Sequence, residues 1–168
     1  QKVFGPGNAY VVAAKRLLFG HVAIDLLPGP SEVLILADDS ANPVFIAADL
    51  LAQAEHGSGH ERVWLVTTSL RVLEETQSEI AKQLPALKRR RLIEQIGVVC
   101  VLAKDLKQAV AIANEFAPEH CELMTRKNAA LVKKIKTAGA IFIGPWSPTV
   151  VGDYVAGPSH TLPTGGAG

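Results

Sequence analysis

A carboxylate and an imidazole stand side by side at Glu119 and His120, directly after the turn-like pair Ala117-Pro118. Imidazole is the side chain whose ordinary pKa lies nearest neutrality, so His120 can take a proton at physiological pH. The adjacent Glu119 can prepare a water molecule for attack, or hold the imidazolium once it forms. Pairs of this kind also occur by chance on solvated surfaces. The significance of this one therefore depends on what else the fold brings to it.

Two other segments carry side chains that can bind a metal. Gln53 and His56 are three residues apart in a stretch with helical spacing, which places them on one helix face. Asp153 and His160 follow in a region rich in glycine and proline. The oxygens of Gln53 and Asp153, with the His56 nitrogen, suit a divalent metal, and zinc is favoured by imidazole with oxygen donors. The set is one protein ligand short of a closed tetrahedral site, so substrate or another residue must complete it.

Each of these side chains also has an ordinary structural interpretation. A histidine in the last turn of a helix interacts favourably with the helix dipole. An aspartate in a loop often hydrogen-bonds its own backbone. His21 and His60 have only a structural interpretation, because nothing beside them supplies a second ligand.

The charge balance gives no reason to expect nucleic acid or an anionic membrane as a partner. The chain has 168 residues, of which 17 are basic and 16 acidic, for a formal charge of +1. The basic run 88–91 is interpreted as the solvated face of a helix rather than a phosphate-binding patch. Cys100 and Cys121 lie in apolar runs and are predicted to be buried thiols in a reducing cytoplasm. We find no signal peptide and no apolar run near the roughly 18 residues that a membrane span needs.

The apolar pattern alternates between short β-branched runs and longer stretches of helical spacing. Strands are predicted at 22–26, 32–36, 63–67, 98–102 and 140–143, and helices at 42–56, 70–84, 86–95, 105–116 and 128–138. The alternation predicts an α/β fold, with a mostly parallel twisted sheet covered by helices on both faces, in an incomplete Rossmann-like domain. Ligands of such sheets are expected at the carboxyl ends of the strands. No Gly-x-Gly-x-x-Gly fingerprint is present, so the pattern alone does not establish dinucleotide binding.

Five segments follow one another along the chain: Gly5-Pro6-Gly7-Asn8, Ile24-Asp25 with Gly29-Pro30-Ser31-Glu32-Val33, the stretch 49–56, Ala117-Pro118-Glu119-His120, and Gly152-Asp153-Tyr154 through Pro163-Thr164. In order and separation they resemble the histidinol dehydrogenase family over essentially the whole chain. Close relatives such as sulfopropanediol dehydrogenase share much of this pattern. The resemblance therefore specifies the family more closely than the substrate.

The resemblance implies a two-step, four-electron oxidation of L-histidinol through histidinal to L-histidine, the last step of histidine biosynthesis, with two NAD⁺ consumed in sequence. By this likeness His120 is the base and Glu119 activates the water that hydrates the aldehyde. Gln53, His56 and Asp153 are zinc ligands whose metal orients the substrate. Asn8 matches a position that touches the dinucleotide. The residues expected at the substrate are Ser31, Gln53, His56, His120, Asp153 and His160.

Members of the family normally have a large N-terminal portion, and a C-terminal tail that reaches across a homodimer with a further zinc-binding His. We therefore expect residues 1–20 to be a remnant of the NAD-side domain, residues 21–168 to be the catalytic-core α/β domain, and the 168 residues alone to be inactive. The retained Glu119-His120 pair favours an enzyme over the two alternatives. Those are a non-catalytic metal- or small-molecule-binding half-domain, and a structural piece that only dimerises. An enzyme of the same family acting on another alcohol, such as sulfopropanediol, stays open.

Overall fold

The computed structural model describes residues 1–5, 7–154, 156–157 and 162–165, and for Asp153 the backbone alone. Five strands within these ranges form one parallel sheet in the order β5-β4-β3-β6-β7. They are β3 (Glu32–Ala37), β4 (Arg62–Thr67), β5 (Val99–Leu102), β6 (His120–Met124) and β7 (Ala140–Ile143). A separate two-stranded parallel sheet pairs β1 (Lys2–Val3) with β2 (Ala23–Ile24).

The helices cover both faces of the main sheet. They are α1 (Ala9–Leu18), α2 (Pro43–Ala54), α3 (Leu70–Gln83), α4 (Arg90–Ile96), α5 (Leu106–Phe116), α6 (Asn128–Leu131) and α7 (Val150–Tyr154), with a 3₁₀ turn at Leu84–Ala86. Side chains of α2, α3 and α4 share a core with one face of β3. Those of α5 and α6 share a second core with the other face. The predicted α/β class with a parallel sheet between two helical layers is confirmed.

Strand β3 is the centre of the fold because every one of its six residues is buried. A strand covered on both faces has a continuous apolar sequence, and this segment was predicted to be a strand from that pattern. Alternate side chains enter the two cores: Val33 and Ile35 enter one, and Leu34 and Leu36 enter the other. Cys121 is buried in the second core, where burial raises the pKa of its thiol to about 12. Cys100 is half-buried.

Two predicted helix starts are confirmed by their caps. The Asn42 side chain accepts a hydrogen bond from the Val44 N–H at 2.9 Å, with Pro43 at the first helical position. Asp105 caps α5 in the same way, accepting from the Gln108 N–H at 2.7 Å. Each cap satisfies an amide that the helix itself cannot pair.

Other boundaries were wrong. The run 22–26 does not enter the main sheet, because its two paired residues bond to β1. The fifth strand is instead β6, which the sequence pattern missed because the charged Glu122 interrupts its apolar run. Helix α4 begins four residues later than predicted, at Arg90, and α6 ends at Leu131 rather than at residue 138.

The N-terminal unit is held by an ion pair. The Lys15 Nζ lies 2.6 Å from Asp25 Oδ1, and the Gly5 N–H donates to Asp25 Oδ2 at 2.7 Å. The Lys15 ammonium and these hydrogen bonds hold the pKa of Asp25 well below its usual range. The Ile24-Asp25 motif therefore joins α1 to the loop that leads into β3.

No helix within the described ranges combines the length and the apolarity needed to cross a bilayer.

Gly139 is predicted to be intolerant of any side chain. A methyl group built on it would lie 2.8 Å from the Glu119 carbonyl oxygen, a backbone atom that already accepts the Ala140 N–H. We expect Gly139→Ala to lower the free energy of unfolding by about 1–3 kcal/mol, measured by urea denaturation. Gly152→Ala is the control, because its methyl would meet the Phe142 ring at an ordinary 3.6 Å. Equal stability of the two variants would contradict this account of Gly139.

Candidate functional site

A cavity of about 860 Å³ lies beside the amino ends of β3 and β6. The predicted site residues that line it are Asn8, Ser31, Gln53, His56, Glu119 and His120. The structure therefore brings the end of α2 and the Glu119-His120 turn to the same edge of the sheet, as the sequence predicted. Thr149 and Val150, at the start of α7, line the same cavity.

The edge itself was predicted wrongly, because ligands were expected at the carboxyl ends of the strands. In a parallel α/β sheet the end of each helix lies near the amino end of the next strand, so residues there reach the amino edge. At the carboxyl edge the polar groups of β3 and β6 satisfy one another. The Asp38 carboxylate accepts the Ser40 and Arg126 N–H groups, both at 2.9 Å. Asn128 Oδ1 accepts from the Thr125 N–H at 2.9 Å.

Glu119 is held by the residues that begin β3. Its Oε2 accepts a hydrogen bond from the Ser31 hydroxyl at 2.5 Å and from the Glu32 N–H at 3.0 Å. Its side chain is 9% exposed, yet it borders the cavity. Two donors on one oxygen fix the position of this carboxylate.

His120 is held by the same backbone, and this contact specifies its tautomer. Its Nδ1 lies 2.9 Å from the Glu32 carbonyl oxygen, which can only accept. The neutral imidazole therefore carries its proton on Nδ1, and its lone pair is on Nε2. The Phe142 ring packs against the imidazole with the ring centroids 5.7 Å apart. A neutral imidazole held in this way is able to accept a proton at Nε2.

The turn that carries this pair has an unusual backbone. Ala117 ends α5 with a φ of 49°, the one positive φ of a non-glycine residue within the described ranges. The Gly139 N–H donates to the Pro118 carbonyl at 3.0 Å and the Ala140 N–H to the Glu119 carbonyl at 2.8 Å. The backbone at the start of β7 thus holds this turn on one side, and β3 lies on the other side.

Gln53 and His56 border the cavity from different structural settings. Helix α2 ends at Ala54, so Gln53 lies in its last turn. The prediction that His56 shares a helix face with Gln53 was wrong, because His56 lies beyond the end of the helix. The helix ends here because Gly57 takes a φ of 112°, a left-handed conformation that favours glycine. Gln53 is 6% exposed, whereas His56 is exposed.

The two side chains suit a metal because their donor atoms are not engaged elsewhere in the described structure. Neither makes a hydrogen bond to another described side chain or backbone group. The described residues hold no cluster of three His, Cys, Asp or Glu side chains. Among the described side chains, Gln53 and His56 are the predicted metal ligands that border the cavity.

Three other predicted residues have different outcomes. The backbone of Asp153 lies in α7, whose first residue lines the cavity, but its side chain is outside the described structure. His160 also lies outside the described residues. Asn8 borders the cavity, and its Oδ1 caps α1 by accepting from the Tyr10 and Val11 N–H groups at 3.1 and 3.2 Å.

A buried acid pair beneath the site was missed by the sequence analysis. Glu122 of β6 is 1% exposed and accepts the Thr149 N–H at 3.0 Å through Oε1. It lies close to Asp49 of α2, one turn before Gln53, and each carboxyl group affects the ionisation of the other. Burial raises the pKa of Asp49 to about 6, and burial with the Asp49 charge raises the pKa of Glu122 well above its ordinary value. Burial and the like charge of its neighbour therefore disfavour joint ionisation of the two acids.

The fold and the strand order define a doubly wound, Rossmann-like α/β protein with its cavity at the amino edge of the sheet. The sequence model of the family described as histidinol dehydrogenase matches residues 1–168. The chain belongs to the histidinol dehydrogenase family.

Individual relatives agree with this assignment. Histidinol dehydrogenase of Thermus thermophilus is 49% identical over 169 residues, covering 98% of this chain and 40% of the relative. That of Gloeobacter violaceus is 52% identical over 168 residues, covering 98% of this chain and 37% of the relative. The crystal structure of histidinol dehydrogenase from Elizabethkingia anophelis superposes with a TM-score of 0.93 at 43% identity, covering 97% of this chain and 38% of that one. The chain thus spans about two fifths of the length of the relatives it matches.

The acid pair leads to a prediction about pH dependence. Because the pKa of Asp49 is raised in the folded state, the pair's stabilisation is complete below the ordinary pKa of 3.8 and is lost as the pH rises through about 6. In Glu122→Gln the amide oxygen can still accept the Thr149 N–H, and the uncharged amide places no like charge beside Asp49. We expect the difference in unfolding free energy, Glu122→Gln minus wild type, to increase between about pH 4.5 and about pH 7.5 in urea titrations.

The control for this experiment is Glu94→Gln, an exposed position on α4. A constant difference for Glu122→Gln across this range would show that Glu122 does not affect the ionisation of Asp49.

Proposed function

We propose that this chain forms the catalytic core of a zinc- and NAD-dependent dehydrogenase that oxidises L-histidinol through histidinal to L-histidine. Because the chain spans about two fifths of its relatives, we propose the activity for the core together with the remaining segments of a full-length enzyme. The observation that carries the proposal is the fixed Glu119-His120 pair, which borders one cavity with Ser31, Gln53 and His56.

His120 is proposed as the general base of both oxidations. The Glu32 carbonyl keeps the proton on Nδ1, so the Nε2 lone pair is available for the substrate hydroxyl proton. As the O–H proton passes to His120, the C–H bond breaks with its electron pair and a carbonyl forms. Bound NAD⁺ supplies the acceptor for that hydride in each oxidation.

Glu119 is proposed to act between the two oxidations. Its Oε2 is held by the Ser31 hydroxyl and the Glu32 N–H, and the side chain borders the cavity. A carboxylate in this position can accept a proton from water while the oxygen adds to the aldehyde carbon. The carbonyl oxygen takes up the proton that the first oxidation left on His120, so the product is the neutral hydrate and His120 can again act as a base. The C–H bond of this hydrate breaks in the second oxidation. Ser31, which we propose contacts the substrate, also orients Glu119.

Gln53, His56 and Asp153 are proposed as zinc ligands. The geometry supports Gln53 and His56 because both border the cavity without other described partners. Zinc bound there would orient the substrate by its nitrogen atoms. We retain His160 as a proposed substrate contact and Asn8 as a proposed dinucleotide contact. The amide nitrogen of Asn8 is the group left for that contact, because its oxygen caps α1.

The assembly is proposed to be a homodimer in the cytoplasm. Three aromatic side chains are largely exposed, namely Tyr10 at 86%, Trp146 at 80% and Tyr154 at 84%. Apolar area of this kind favours a covering surface, so it supports self-association. We also keep the division into an NAD-side remnant at 1–20 and a catalytic core at 21–168 as a proposal.

Replacing His120 tests the base in a full-length enzyme that contains this segment. We expect His120→Asn to lower kcat for histidinol by about 10²–10⁴, because it removes the base. The asparagine amide can still donate to the Glu32 carbonyl, so histidinol binding should change little. Steady-state kinetics with calorimetric binding of histidinol separates the two effects. An unchanged kcat would show that His120 is not the base.

Replacing Glu119 tests the division of labour between the two half-reactions. In Glu119→Gln the amide oxygen can still accept the Glu32 N–H, but it cannot take a proton from water. We expect oxidation of histidinal to slow more than oxidation of histidinol to the aldehyde, each followed as NADH formation from the supplied substrate. Equal slowing of both steps would reduce Glu119 to an orienting partner of His120.

A further inference from the structure

The carbonyl groups that follow α2 face a cation from a distant part of the chain. Arg89 Nη1 donates to the Glu55 carbonyl at 3.0 Å and to the His56 carbonyl at 3.3 Å. The last carbonyls of a helix have no partner within it, and a cation there interacts favourably with the helix dipole. Arg89 stands directly before α4, more than 30 residues further along the chain. It therefore joins the end of α2 to the beginning of α4.

The backbone around His56 is shaped to admit this guanidinium. Gly57 has a φ of 112°, and a methyl group built on it would clash with Arg89 Nη1. A residue with a side chain would thus be strained by the conformation and would displace the guanidinium. The glycine that ends the helix is also the glycine that makes room for the cation.

A carboxylate holds the next two residues of the same turn. Glu61 is 5% exposed and accepts the Ser58 N–H at 2.5 Å and the Gly59 N–H at 3.0 Å. Arg89 binds carbonyls before Gly57, and Glu61 binds amides after it. The turn 55–59 is thus held by opposite charges on its two halves.

We propose that Arg89 is a positioning residue for His56. Gln53 needs no such support because it is buried in the last turn of α2. His56 lies outside the helix and is exposed, so packing does not fix it. Its backbone is held by the Arg89 contacts to its own carbonyl and to the one before. The metal-binding part of this proposal rests on the proposed function.

Arg89 differs in this respect from its neighbours in the basic run 88–91. Arg90 and Arg91 lie on α4, are exposed, and form no hydrogen bond or ion pair with other described residues. The interpretation of the run as a solvated helix face therefore fails for Arg89, which precedes the helix. Arg90→Ala is a matched control, because it removes the same charge one residue away.

The test compares wild type, Arg89→Ala, Arg89→Lys and Arg90→Ala as the 168-residue chain. NMR follows the His56 ring resonances and the hydrogen exchange of the Ser58 and Gly59 amides without metal. We expect Arg89→Ala to shift the His56 resonances and speed exchange at these amides, Arg89→Lys to do so less, and Arg90→Ala to match wild type. Arg89→Ala matching Arg90→Ala would overturn the proposal. So would faster exchange spread evenly over the core strands without a local change at 56–59.

Calorimetric titration with Zn²⁺ adds a second readout. We expect Arg89→Ala to weaken zinc binding about tenfold or more, as loss of a residue supporting a metal ligand typically does, and Arg90→Ala to leave it unchanged. Equal zinc affinity in the two variants would overturn the metal-binding part. The titration uses a full-length enzyme that contains this segment, and failure of that wild-type enzyme to bind Zn²⁺ would count against the proposed zinc site. The metal-free NMR comparison decides the role of Arg89 in either case.

Discussion

One short piece of backbone holds both side chains of the proposed catalytic pair. At Glu32, the first residue of β3, the N–H binds the Glu119 carboxylate and the carbonyl binds the His120 imidazole. These contacts exist because β3 and β6 are adjacent parallel strands whose amino ends are in register, with Val33 opposite His120. Glu32 cannot shift without moving the six buried residues of β3. The position of the pair thus depends on the best-packed strand of the protein.

The rest of the cavity is built from the ends of elements rather than from their interiors. Left-handed or closely packed backbone occurs at each of these ends: Ala117 after α5, Gly139 before β7, and Gly57 after α2. Such positions are costly, and they persist where surrounding contacts determine them. Here the contacts are the backbone hydrogen bonds to β7 and the Arg89 and Glu61 side chains. The amino edge is therefore a surface whose shape is fixed by long-range contacts.

Beneath this edge the fold buries an acid pair instead of apolar side chains. Glu122 joins β6 to the residue before α7 through the Thr149 N–H and to α2 through Asp49. Each of the three elements also carries a proposed site residue: His120, Asp153 and Gln53. The raised pKa values of the two acids at their junction couple their packing to pH, because ionising both would place two like charges close together. Burial of this pair costs stability and specifies how the three elements meet.

The sequence by itself determined the parts whose cause is local. The apolar run of β3 required burial on both faces, and Asn42-Pro43 specified the start of α2. The adjacent Glu119-His120 pair indicated the proposed catalytic site. Tertiary structure alone decided what depends on distant partners. The sequence pattern missed β6 because this strand contains the ionisable Glu122, which is buried here beside Asp49 and the Thr149 N–H. The location of the cavity at the amino edge and the contact of Arg89 with His56 both depend on residues that are far apart in the sequence. Such contacts leave no periodic signal in the sequence.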